Sequence, residues 1–335
     1  MAGTAGTDRR IVELLEVETA ERDLDWLKAS LQSAVELEFA TLPVYLSGLW
    51  SIKDPSSEVF SLVDSVIREE MLHLGLACNL LKAIGGSPEI NVPSYPGELP
   101  GGVRPGLRVF LAGLSLESVA MYMEIEKPEN PLALEAETFA TIGLFYDAIL
   151  DAFQRLSPSL SADGQLSSEL HVPNPSGTGS ALTEPLLMPT SLAQVQEAIA
   201  TIKDQGEGTS TSPNAPEFGG ELAHFYRFGE IHAGHRLIKV DGQFKFAGDP
   251  VPFPPCEDVA EVPPEGYPDL QEARNFDQKF TELVKLLEQA WADGDQDKLD
   301  TAVGVMFSLR GLAKRVIAKT RPDGRRFGPD FKLVS

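Results

Sequence analysis

Glutamate and histidine stand three residues apart at Glu70-Met71-Leu72-His73 and again at Glu221-Leu222-Ala223-His224. On a helix this spacing sets a carboxylate oxygen and an imidazole nitrogen on one side. Such a pair is common by chance, so the face it occupies decides its meaning. Val63, Val66, Glu70, His73, Ala77, Leu80 and Ile84 follow an unbroken 3-4 spacing, the pattern of a buried bundle seam. An ionised carboxylate is costly to bury without a partner. A metal ion would satisfy both groups at once, and a mutual Glu–His ion pair is the plainer alternative. The second unit lies on a similar seam of Glu221, His224, Phe228, Ile231, His235 and Ile238, expected on a helix that begins near Gly220. The sequence has only five histidines.

The helices that must carry these residues are legible in outline. Leu24, Leu27, Leu31, Ala34, Glu38, Thr41 and Tyr45 predict a first helix over about 21–50, with Glu38 on its seam and Glu36 off it. Pro43 deprives the Phe39 carbonyl of its usual donor and predicts a kink. Asp54-Pro55 is expected to start the next helix and Gly85-Gly86-Ser87-Pro88 to stop it. A short helix over 115–126 places Leu116, Val119, Met123 and Glu126 on one seam. A longer one over 134–156 carries no acid on its inward face. Residues 191–204 form a further helix, closed by Gln205-Gly206-Glu207-Gly208. Helices over 270–291 and 298–320 make a hairpin with no comparable polar cluster. The Pro- and Gly-rich stretches between are expected to be long ordered loops, of a kind that usually covers a site.

Composition narrows the function. Fifty acids against 28 basic residues give a formal charge of −22, which argues against nucleic acid or an anionic membrane surface as a partner. Two cysteines, Cys78 and Cys256, make neither a disulfide framework nor a thiolate zinc site. No secretory h-region or membrane-length apolar run is present, so a cytoplasmic protein is expected.

Two Glu-x-x-His units with lone glutamates from two other helices make the di-iron carboxylate arrangement of ferritin-like bundles. The expectation is an all-α, ferritin-like four-helix bundle forming a single domain over residues 1–335. Its core spans about 21–240, with an added C-terminal hairpin over about 269–320. The candidate metal ligands are Glu38, Glu70, His73, Glu126, Glu221 and His224, with Glu38 as the bridge. Glu126 fills the place of a second lone glutamate; its alternative is a surface acid at a helix end. Mixed carboxylate and imidazole ligation suits one or two iron ions, and manganese also fits. No residue is singled out as catalytic. His232 and His235 are expected to pack or to support, not to ligate, and His171 has no assigned role.

The sequence also resembles a known family. The stretches that carry the resemblance are Leu37-Glu38-Phe39-Ala40-Thr41-Leu42-Pro43-Val44-Tyr45-Leu46, Glu69-Glu70-Met71-Leu72-His73-Leu74, Asn79-Leu80-Leu81-Lys82-Ala83-Ile84-Gly85-Gly86, Ile125-Glu126-Lys127-Pro128, Gln205-Gly206-Glu207-Gly208 and Glu221 to Phe228. With the ending Phe327-Gly328-Pro329-Asp330-Phe331, they resemble the iminophenylpyruvate dimer synthase type of ferritin-like domain, found in violacein and rebeccamycin pathway enzymes and in stand-alone proteins. The resemblance implies oxidative, metal-dependent chemistry in specialised metabolism, such as coupling of two imines derived from aromatic amino acids. Pathway members are larger, and this chain matches their ferritin-like part. Relatives carry an acid where this chain has Leu144, which implies a depleted site or one completed by Glu126.

The reading is therefore a non-haem iron oxidoreductase acting with O2 on a small-molecule substrate. It leaves room for an electron donor and for homo-oligomerisation, and it excludes nucleic acid and membrane partners. The alternatives are a non-catalytic iron-handling protein and a metal-free scaffold retaining Glu–His pairs.

Overall fold

The computed structural model describes residues 10–128, 142–172, 182–206, 213–215 and 221–334. Its first helix, α1 (Arg10–Glu16), precedes α2 (Leu24–Ser51), which is capped by the Asp23 side chain accepting from Trp26 N. Nearly every residue of α2 from Trp26 onward is buried, as expected of a helix apolar on all sides. It continues through Pro43 to Ser51 as one helix. The phenol of Tyr95 donates to the Ala40 carbonyl one turn earlier, at 2.6 Å.

The next helix, α3, spans Glu58–Ala83 and packs along α2. Its N-cap is Ser57, not Asp54. Asp54 instead accepts from the backbone of Ser56 in the turn before it. Gly85, at φ 75°, ends the helix, and the N–H groups of Gly85 and Gly86 reach back to Lys82 and Leu81.

Helix α4 (Leu116–Ile125) starts at a Ser115 capping box and has Glu126 as its C-cap. Leu116 faces solvent, while Val119 and Glu126 are buried. Helix α5 covers Ile142–Leu156; the expected start near 134 lies outside the described residues. A strand pair, β1 (Glu169–Val172) and β2 (Leu182–Pro185), leads to α6 (Leu192–Gly206). A second pair, β3 (Asn214–Ala215) and β4 (Glu221–Leu222), precedes α7 (His224–Ala233).

Two sequence expectations fail around α7. The chain over 221–222 is a strand, and the helix begins only at His224. It also ends early, at Gly234 with φ 70°. His235–Val240 is then strand β5, paired with β6 (Gln243–Pro250). The apolar spacing through His235 and Ile238 thus belongs to a twisted hairpin, whose Phe246 ring covers Gly229 of α7. Both His232 and His235 are exposed.

Helices α8 (Gln271–Asp293) and α9 (Gln296–Ile317) form the expected hairpin. It joins the bundle through aromatic contacts, with Phe39 against Phe280 and Trp50 stacked on Phe331 of the C-terminal tail. One polar cluster here was not anticipated. Asp277 accepts from Lys332 N at 3.0 Å, and Asp330 accepts from Tyr267 N at 2.7 Å, and both acids are buried. No helix among the described residues is long and apolar enough to cross a membrane.

Candidate metal centre

Helices α2, α3, α4 and α7 bring Glu38, Glu70, His73, Glu126 and His224 to one buried place. The 3-4 seam explains why α2 presents Glu38 there and α3 presents Glu70 and His73. Glu126 arrives because α4 stops at it, and His224 because α7 starts at it.

The five side chains form two triads. Ligand atoms of Glu38, Glu70 and His73 lie within 4.8 Å of one another, and so do those of Glu70, Glu126 and His224. Glu70 belongs to both. Glu38, the expected bridge, belongs to one. The two imidazole rings face each other, 5.5 Å apart and 25° from parallel.

Each imidazole turns Nδ1 inward and is held from behind by Nε2. His73 Nδ1 is 3.7 Å from Glu38 Oε2 and 3.8 Å from Glu70 Oε1, while its Nε2 is 2.7 Å from Gln205 Oε1 of α6. His224 Nε2 is 2.8 Å from Glu69 Oε2. Its Nδ1 lies 2.8 Å from Glu70 Oε1 without hydrogen-bond geometry, and 3.6 Å from Glu126 Oε2, beyond hydrogen-bond reach. This ring nitrogen is buried, aimed at two carboxylates and without a hydrogen-bond partner among the described residues. A buried polar atom left without a hydrogen bond is rare and marks a place that a further group would fill.

Supporting groups fix the carboxylates. Thr41 Oγ1 donates to Glu70 Oε2 at 2.9 Å, and the Tyr146 phenol donates to Glu38 Oε1 at 2.6 Å. The Tyr45 phenol donates to Glu126 Oε1. Behind His224, the Arg227 guanidinium donates to Glu69 Oε1 at 2.8 Å and to Ser65 Oγ at 3.0 Å. Fixing the distal nitrogen of a metal-ligating histidine in this way sets its tautomer and ring orientation.

Electrostatics separates the acids into two roles. Burial pushes Glu69 upward, but Arg227 and His224 overcome it and hold the carboxyl at about 2. Burial followed by repulsion from Glu126 raises Glu70 to about 7. Burial opposes the charge on His224, yet Glu126, Glu69 and Glu70 drive its pKa well above the ordinary value; Glu38 and Glu70 raise His73 in the same sense. Tyr45 and Tyr146 are raised by burial and then by the neighbouring glutamates, so both remain protonated donors. Without a cation, this concentration of carboxylates retains protons. The same oxygens and both Nδ1 atoms are placed where they could hold a metal ion.

Several sequence expectations are corrected here. The second Glu-x-x-His unit does not act as a helical pair, because Glu221 lies on β4, before α7 begins. Its side chain, like those of Glu207 and His171, is outside the described residues. Leu144 is 37% exposed on α5, so it leaves no gap in the cluster, and Tyr146 is the residue of that helix that reaches it. Glu36, off the seam, is nevertheless buried, in a separate ion pair with Arg10 at 3.0 Å and a hydrogen bond from Asn91 at 2.8 Å.

Glu69 and Gln205 were missed as working residues. The signal for Glu69 was Arg227, three residues after His224 on an apolar helix face, since a buried guanidinium calls for a buried acid.

A family model described as ferritin-like matches residues 31–233, and the chain belongs to that family. Among solved structures it is similar to a ferritin-like protein from Caulobacter vibrioides, at 23% identity and a TM-score of 0.59 over 87% of this chain and 96% of that one. That likeness concerns the fold. No curated protein matches the chain.

Proposed function

We propose that this protein is a non-haem, dinuclear-metal oxidoreductase that uses O2 to oxidise a small molecule, with iron as the metal. The observation that carries this reading is the pair of triads sharing Glu70, each with one histidine turning Nδ1 inward. Glu38 and His73 would hold one ion, Glu126 and His224 the other, and Glu70 would span both. The hard oxygen donors and two imidazoles suit ferrous iron, with manganese as the near competitor. When bound, iron supplies the electrons and coordination positions that dioxygen chemistry requires.

The chain's own residues set the conditions for that chemistry. Tyr45, Tyr146 and Thr41 hold the three carboxylates in orientation. Gln205 and the Glu69–Arg227 pair hold the two imidazoles. Burial of the whole cluster keeps bulk water away and strengthens each of these contacts. Within this class, the sequence resemblance favours oxidative coupling of imines derived from aromatic amino acids.

Anaerobic loading with Fe(II), metal analysis and then an oxygen electrode test the reading. The expected result is one to two equivalents of iron per chain and O2 uptake that continues when a reductant and an aromatic imine are supplied. Less than a tenth of an equivalent of iron would sink the metal site. Uptake that stops once the bound iron has been oxidised would instead mark an iron-handling protein.

A further inference from the structure

The seam between the bundle and the C-terminal hairpin is not fully packed. A cavity of about 100 Å³ lies there, walled by residues such as Phe39, Leu42, Leu74, Phe280 and Trp291. A second, of about 140 Å³, is lined by Trp50, Phe60 and Ile67. Leu46, Met71, Val303 and Met306 line both, so the two cavities adjoin at these side chains. Protein interiors rarely leave such apolar space, because the lining atoms forgo dispersion contacts. Apolar walls around space of this size favour an apolar molecule over water.

Among the described residues the inner cavity has no charged side chain in its wall, whereas the outer one has three: Asp64, Arg68 and Arg310. Arg68 pairs with Asp64 at 2.9 Å. Arg310 is exposed, sits 5.3 Å over the Phe60 ring and has no ion-pair partner among the described residues. Its charge is felt nearby: after burial, Arg310 is the largest influence holding Lys314 below the ordinary lysine range. In a chain with 50 acids and 28 bases, an exposed guanidinium without an ion-pair partner among the described residues, beside apolar space, fits an anion attached to an apolar tail.

We propose that these two adjoining cavities open into one channel that binds a medium-chain saturated fatty carboxylate, its chain running past Met306 into the inner cavity and its carboxylate paired with Arg310. The site is distinct from the metal cluster but shares its helices. On α2, Phe39 and Leu42 line the channel while Glu38 and Thr41 face the cluster; on α3, Met71 and Leu74 do so beside Glu70 and His73.

Two of the three tryptophans give a direct readout, since Trp291 lines the inner cavity and Trp50 the outer one. A bromine atom quenches indole fluorescence on contact, so 11-bromoundecanoate and neutral 11-bromoundecanol are the probes, titrated at pH 8 into the full-length protein. The carboxylate is expected to quench saturably and to bind at least tenfold more tightly than the alcohol. Arg310→Ala should abolish that preference by weakening the carboxylate, with the alcohol changed less than twofold. Val303→Phe, which fills space where the two cavities adjoin, should remove saturable quenching by both. Non-saturable quenching of the wild type, or a carboxylate preference that survives Arg310→Ala, would overturn the proposal. The Arg310 variant changes an exposed residue, so the test stands even if Val303→Phe does not fold.

Discussion

Glu70 and Asp277 are both buried carboxyls with raised pKa values, the first at about 7 inside the bundle and the second at about 8 beneath the C-terminal tail. In each case burial is the main cause and a second carboxyl, Glu126 or Asp330, is the next. The surroundings differ. Around Glu70 stand three more carboxylates and two imidazoles, one of them with a ring nitrogen lacking any hydrogen bond. Around Asp277 and Asp330 stand backbone N–H groups of Lys332 and Tyr267 and no histidine among the described partners, and Asp330 Oδ1 too lacks a hydrogen-bond partner. A single proton between the two aspartates is enough to satisfy that pair. Protons alone leave the bundle cluster with donors and acceptors that do not match in direction. Carboxyl density alone therefore does not mark a candidate metal site; two Nδ1 atoms turned toward carboxylates that share Glu70, and braced from behind, do.

The strongest test of that contrast removes the shared ligand. Glu70→Ala takes one member from both triads and should abolish stoichiometric iron binding, lowering affinity by at least a hundredfold. Glu126→Ala takes a member from one triad only and should leave about one equivalent at the Glu38–Glu70–His73 triad. Asp277→Asn should leave iron binding unchanged. Anaerobic Fe(II) titration followed by calorimetry reads all three. Two tight equivalents retained by Glu126→Ala would show that the second ion uses other ligands.

A smaller effect separates two acids on α2 itself. Glu38 and Glu36 are both buried, but Glu38 faces His73 and Tyr146, whereas Glu36 faces Arg10, Gln32 and Asn91. Glu38→Ala should lose metal. Glu36→Ala should keep it and instead destabilise the fold by about 1–3 kcal/mol, because it leaves hydrogen-bond donors unpaired. Metal content and urea denaturation of the same two preparations check this. Loss of metal in the Glu36 variant would place that acid in the site.

How much of this was readable in the sequence depends on whether a signal was local. The long helices α2, α3, α8 and α9 announced themselves through apolar spacing, and the same spacing chose Glu38, Glu70 and His73 correctly as inward residues. Glu126 was legible only as an acid at the end of an apolar seam. Glu69 was hidden because one helix has two buried faces: α3 packs against α2 on one side and α7 on the other, so a residue one step off the first seam falls on the second. Glu221 was misread because Glu-x-x-His carries its geometric meaning only within a helix, and β4 interrupts it. Tyr146 and Gln205 act through long-range packing of α5 and α6 on the bundle, for which the sequence holds no local mark.

The finest test concerns the aspartate pair and its response to pH. The folded pKa of Asp277, about 8, lies above its unfolded value of about 4. Between those values the native state keeps a proton that the unfolded chain has released, so stability falls as pH rises. The contribution is complete below about pH 4 and is lost as pH passes through about 8. Raised carboxyls in the bundle cluster would act in the same direction, so the measurement belongs on metal-loaded protein, compared with Asp277→Asn. An amide cannot ionise, and it can still accept from Lys332 N while donating to Asp330. The wild type should lose more in melting temperature between pH 6 and pH 9 than this variant, by a few degrees. Scanning calorimetry at matched ionic strength gives the difference directly. Parallel curves for the two proteins would mean that the aspartates do not share a proton, and the contrast with the Glu70 cluster would then rest on the histidines alone.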